Sequence, residues 1–180
     1  MNISLLRMTC FICVALSVMT FNAVAATDSA NITVSGTVRA NTCTLDNASP
    51  TVILPTVSTR DFGRSSGKVL AKRQVSLLLK DCGEMAHQVR VTTHGEKDSN
   101  NASAFSNLAN NDGGAGGVGL YFYATDGEKL LSPDGTAHED VALHASSNNV
   151  INFYAGYVST KDIVTPGSFK SVVYVDFDYL

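Results

Sequence analysis

The amino-acid sequence predicts an all-β fold, an immunoglobulin-like Greek-key sandwich, on three observations. Short stretches alternating apolar and polar residues recur along the chain, separated by Gly, Pro, Asn and Asp turns and by links of Greek-key length. Once a secretory signal is set aside, two cysteines remain that can bridge two such stretches. Composition agrees: there is no tryptophan, little helical periodicity, and an abundance of Val, Thr, Ser, Asn and Gly.

Residues 1–25 read as a signal peptide. Arg7 precedes the apolar run CFICVALSVMTF, and Ala23-Val24-Ala25 supplies the small-residue cleavage pattern. The run is too short, and too soon followed by polar sequence, to span a bilayer. Cleavage after Ala25 leaves 155 residues, the size of one domain. It also removes Cys10 and Cys13, so in an oxidising compartment Cys43 and Cys82 are expected to pair. Closing that loop would stabilise the fold by roughly 4 kcal/mol on the chain-entropy account; two free buried thiols are the alternative. The mature chain carries 12 basic and 16 acidic side chains and no basic stripe, which speaks against nucleic-acid binding. Lys68, Lys72 and Arg73 form a local basic cluster, read as a solvated face.

The first stretch, Ala30 to Thr44, places Ile32, Val34, Gly36 and Val38 on one face and Asn31, Thr33, Ser35, Thr37 and Arg39 on the other. Such a strand would ordinarily close a sandwich edge, although Gly36 marks a close approach of another backbone. Thr51 to Pro55 reads as a short strand stopped by proline, and Asp61 to Gly67 as turns with Phe62 pinned to the core. Gln74 to Asp81 alternates Val75, Leu77 and Leu79 against Ser76, Leu78 and Lys80, and Gln88 to His94 alternates Val89, Val91 and Thr93. Gly95 to Gly117 is polar and glycine-rich, with Phe105 and Leu108 as its anchors; a loop of that length is either functional or mobile. Val118 to Thr125 resumes strand character, Asp126-Gly127 signals a hairpin, and Ser132 to Gly135 forms a second turn. Asn149 to Thr160 and Phe169 to Leu180 complete the set. On the last, Phe169, Ser171, Val173, Val175, Phe177 and Tyr179 share one face.

Catalytic or metal chemistry finds little support. His87, His94, His138 and His144 show no HxxxH spacing, there is no CxxC pair and no GxSxG elbow. Neither an enzyme nor a cofactor or small-molecule substrate is expected.

The final stretch has the apolar face of a central strand, yet the chain stops at Leu180 without residues for a neighbour beside it. An unpaired strand next to an open core slot is an aggregation hazard. Here the chain resembles the pilin subunits of chaperone-usher fimbriae, closest to minor type 1 subunits. The resemblance rests on NITVSGTV ahead of the first cysteine, LLLKDC around the second, GGVGLYFYATDG, FYAGYV, and the ending TPGSFKSVVYVDFDYL. In that ending Gly167 and the penultimate Tyr179 lie 12 residues apart, with Phe169, Val173 and Phe177 in phase between them. The resemblance implies a sandwich lacking its last strand, filled first by a periplasmic chaperone and then by the N-terminal extension of the next subunit, a form of β-augmentation. It implies a donor-strand extension over 26–42 and a pilin domain over 43–180. Ile32, Val34, Gly36 and Val38 would enter a neighbour's groove, while Val173, Val175, Phe177 and Tyr179 would border the chain's own groove and meet the chaperone. The implied partners are neighbouring pilins, the chaperone and an outer-membrane usher. The implied route runs through the periplasm to an extracellular fimbria that supports cell adhesion. Ser171 stands where the family often has alanine, and Leu180 where a polar terminal residue is common.

Two other readings stay open at this stage. An adhesin-type binding module would ordinarily carry an additional N-terminal lectin domain. A self-complete immunoglobulin-like domain would fold the front stretch back into its own groove, which a short extension rooted at Cys43 opposes.

Overall fold

A computed structural model describes residues 30–36, 42–109 and 113–180. The chain divides into a unit ending at Thr37 and a unit from Val38 to Leu180. Of the first, residues 30–36 carry neither helix nor ladder pairing, and Ile32 and Val34 are exposed. The expected signal segment and Val38 lie outside the described residues.

Among the described residues the second unit is a sandwich of seven strands: β1 (Thr44–Leu45), β2 (Val69–Lys80), β3 (Gln88–His94), β4 (Val118–Tyr123), β5 (Asp134–Ala142), β6 (Asn149–Ser159) and β7 (Tyr174–Tyr179). One sheet has the order β1-β2-β6-β4 and the other β5-β3-β7, with every ladder antiparallel. Period-two alternation turns Val75, Leu77 and Leu79 of β2 inward with Ile151 and Phe153 of β6, and the register sets Val75 opposite Phe153 and Leu77 opposite Ile151. From the facing sheet come Val89 and Val91, both fully buried. Phe105, Leu131 and Phe153 are also fully enclosed. Phe62 is buried at the end of a single 3-10 turn, Thr59–Phe62.

Cys43 and Cys82 form a disulfide with Cα atoms 4.0 Å apart, tying the start of β1 to the residues just past β2. Asn149 packs against it: its Nδ2 donates to the carbonyls of His144 and Ser147, and its Oδ1 accepts the His144 N–H. The turn into β6 and the disulfide are thereby one buried unit.

Four expectations change. Thr51 to Pro55 forms no strand and Ile53 is exposed; among the described residues the segment has no strand beside it to pair with. The last strand is shorter than its pattern, starting at Tyr174 rather than Phe169, since residues 165–170 bond to a loop instead. The stretch before Cys43 contributes no described strand; only Thr44 and Leu45 pair, with Lys80 and Leu79. Finally, β5 was not expected at all. Of its inward positions, Gly135, Ala137 and Glu139 are too small or too polar to mark a buried face, and Val141 alone is not enough.

Both outer strands of the second sheet are informative. The Leu143 N–H bonds to His87 O, so in the antiparallel alternation the even-numbered residues of β5 turn their backbone groups outward. There Lys129 Nζ donates to the His138 carbonyl at 2.5 Å, and Asp134, His138 and Asp140 line the edge. At the other side, the Leu180 N–H bonds to Gln88 O. By the same alternation Val175, Phe177 and Tyr179 direct their N–H and C=O groups away from β3, toward an edge with no neighbouring strand among the described residues.

Candidate functional site: an open groove beside the last strand

The missing neighbour of β7 leaves a groove of about 890 Å³ running into the core. Its floor is the inner face of the first sheet: Val75 and Leu77 of β2, Leu120 and Phe122 of β4, Ala155 and Tyr157 of β6. One wall is formed by Phe169, Val173, Val175 and Phe177, and the other by the irregular segment 47–54. Phe169, Val173, Val175 and Phe177 are only half-buried although they pack on the enclosed core. Inward-facing aromatics and valines left part-wet are a core with one layer missing. The adjoining edge of β7 offers unpaired backbone groups, so the site presents apolar pockets and a hydrogen-bonding rail together, the two requirements for accepting an extended peptide.

The floor of the groove carries no charged side chain, although Lys170 is among the residues lining its sides. Burial pushes the phenols of Tyr157 and Tyr179 above their usual value, so both stay neutral. Tyr157 meets Phe169 edge to face, ring centres 5.0 Å apart. Charge appears at the rim, where His94 Nδ1 lies 2.7 Å from Asp176 Oδ2 and the imidazole stacks on Tyr174. Ser171 Oγ is buried with no hydrogen-bond partner among the described residues.

Of the expected groove residues, Val173, Val175 and Phe177 line it together. Tyr179 stands past its end, half-buried on the core, with its hydroxyl donating to the Cys43 carbonyl at 3.5 Å. Ile32, Val34 and Gly36 are exposed. Sequence reasoning missed Tyr157 and the 47–54 wall, and left the Gly95 to Gly117 loop without a contact. The described residues of that loop bond to the stretch leading into β7. Phe105 is enclosed and pairs with Leu120, while Leu108 N–H bonds to Lys170 O, Ala115 N–H to Ser168 O and Ser168 N–H to Gly113 O. Among the described residues no cluster of three or more His, Cys, Asp or Glu is placed to hold a metal ion, and no helix is long and apolar enough to cross a membrane.

A two-sheet immunoglobulin-like sandwich, open along its last strand, has the architecture of pilus subunits. A structure of an antigen and type I fimbria protein from Burkholderia pseudomallei is similar, at 26% identity and a TM-score of 0.58, over 78% of this chain and 90% of that one. The P pilus rod subunit PapA matches at a TM-score of 0.63 and 17% identity, over 77% of this chain and 99% of its own. A chaperone-usher pilus structure matches at 0.61 and 17%, over 87% and 99%. No curated protein matches by sequence.

The fimbrial protein family model matches residues 32–180, and the chain belongs to that family. It is a structural, non-enzymatic subunit of a fimbria, a pilus on the outside of the cell.

Proposed function

We propose that this subunit polymerises by donor-strand exchange, its groove receiving the N-terminal extension of a neighbouring pilin and its own Ile32, Val34, Gly36 and Val38 entering the next. The observation that carries the reading is the free edge of β7 beside half-buried Val173, Val175 and Phe177. Burying Ile32, Val34 and Val38 contributes on the order of 5 to 8 kcal/mol before ordering costs. The β7 edge supplies backbone bonds at Val175, Phe177 and Tyr179. In transit through the periplasm the same edge and groove are covered by a chaperone, which delivers the subunit to an outer-membrane usher, because an open apolar slot of this size would aggregate in water. Residues 26–42 act as the donor extension and 43–180 as the acceptor domain.

The test is the melting temperature of a chain lacking residues 26–40, with and without a peptide covering residues 26–41. The proposal expects a large rise with the peptide, lost when Gly36 is replaced by a bulky residue. A truncated chain that melts cooperatively at high temperature and ignores the peptide would mean a self-complete sandwich.

A further inference from the structure

We infer that Asn107 is a positioning residue for the incoming strand: from the long loop it sets the end of the groove at Phe169 and Ser171. The inference rests on the donor-strand reading and assigns a task to the Gly95 to Gly117 loop within it.

Asn107 is buried, and its carboxamide is fully engaged. Nδ2 donates to the carbonyls of Ala115 at 2.9 Å and Ser168 at 3.0 Å; Oδ1 accepts the N–H groups of Ala109 at 3.1 Å and Lys170 at 3.0 Å. Two donors meet two carbonyls and two lone pairs meet two N–H groups, so the amide orientation is unambiguous and its capacity is used up. Two of these partners, Ser168 and Lys170, flank Phe169, the groove residue whose ring abuts Tyr157. The loop reinforces the grip from both sides: Leu108 N–H bonds to Lys170 O, and Gly116 N–H bonds to Thr165 Oγ1 at 2.9 Å. Residues 171–173, which follow, line the groove but belong to no ladder. The backbone there has no strand on either side to define it, and the nearest fixed points are the bonds at Ser168 and Lys170 behind and Tyr174 ahead. Without the clamp, Phe169 and Ser171 would be free to fold into the empty slot, and a donor would have to displace them before docking.

The experiment uses the mature chain with Ile32→Asp and Val34→Asp, which silence its own extension, and labelled peptides covering residues 26–41, 30–41 and 26–37. Asn107→Asp keeps size and both acceptor bonds but aims an oxygen at the Ala115 and Ser168 carbonyls. Repulsion at the Ser168 carbonyl should loosen the strap, read as faster hydrogen exchange at the Ala115 amide, which donates to that carbonyl, with the Leu180 amide still protected. Dissociation of the full peptide should quicken about tenfold, the equivalent of one or two lost hydrogen bonds. The effect should vanish for whichever shortened peptide does not reach the Phe169 end. A folded variant with a loosened Ala115 amide that releases all three peptides at the parent rate would overturn the inference and leave Asn107 as a loop anchor only. Failure of the parent to bind any peptide would instead overturn the donor-strand reading. If Asn107→Asp does not fold, Thr165→Val removes the exposed Gly116 bond of the same strap, and the same pattern, or its absence, decides.

Discussion

Gly167 lies so close to Gly114 that a Cβ on Gly167 would stand 2.3 Å from the Gly114 carbonyl carbon and 2.5 Å from the Gly113 carbonyl oxygen. The neighbours are backbone, not flexible side-chain tips, so they cannot step aside without breaking the loop's bonds to Ser168. Gly167→Ala should therefore cost about 1 to 3 kcal/mol, as overpacking does. Urea denaturation with an unchanged m-value checks it; an unaltered midpoint would mean the loop is free to move away.

Phe153 and Phe177 make an informative pair because one is enclosed and the other borders the groove. Phe153→Ala should destabilise the isolated subunit by about 3 to 5 kcal/mol. Phe177→Ala should cost distinctly less in the isolated subunit, yet more once a donor peptide fills the groove. Thermal melts of both variants with and without peptide read this directly, and equal costs in the two states for Phe177→Ala would contradict an open groove.

Ser171 carries a buried hydroxyl with no partner among the described residues. Leaving such a group unmet costs about 1 to 3 kcal/mol, so Ser171→Ala should raise the stability of the empty subunit by about 1 kcal/mol. A fall in the melting temperature instead would show that the hydroxyl has found a bond.

Acid should act through Asp134. Its carboxylate accepts from Ser132 Oγ at 2.7 Å and from the Thr136 hydroxyl and N–H at 2.8 and 3.1 Å, which hold its pKa down to about 2 from an ordinary 3.8. The native state binds this proton less readily than the unfolded chain, so the stabilisation is complete above about pH 4 and is lost as pH falls toward 2. The melting-temperature gap between the parent and Asp134→Asn should accordingly be widest near neutrality and close toward pH 2. A gap independent of pH would reject the assignment.

Much of this fold is legible in residue pattern. Val75, Leu77 and Leu79, and Val89, Val91 and Thr93, alternate cleanly because each strand has one wet and one enclosed face; the second keeps its expected bounds, while the first begins at Val69, five residues ahead of its pattern. The pattern fails where that condition fails. Gly135, Ala137 and Glu139 point inward from β5 without apolar bulk, and Glu139 is spent on the Thr125 N–H and hydroxyl. Thr51 to Pro55 has strand residues but no partner, so propensity finds nothing to bond. The wall formed by Val173, Val175 and Phe177 was readable because it keeps period two even with its neighbour absent. Asn107 was not, since one engaged carboxamide among Asn100, Asn101, Ser106 and Asn110 looks like any other polar loop residue; its role comes from partners some 60 residues away in sequence.

The two outer strands of the β5-β3-β7 sheet are treated in opposite ways. Along β5, Lys129 already occupies the His138 carbonyl, and Asp134, His138 and Asp140 deter an approaching strand. Along β7 the edge has no neighbouring strand among the described residues. A sheet with one barred side and one receptive side accepts a single strand, so under the donor-strand proposal each subunit takes one extension and gives one, and the polymer has no position from which to branch.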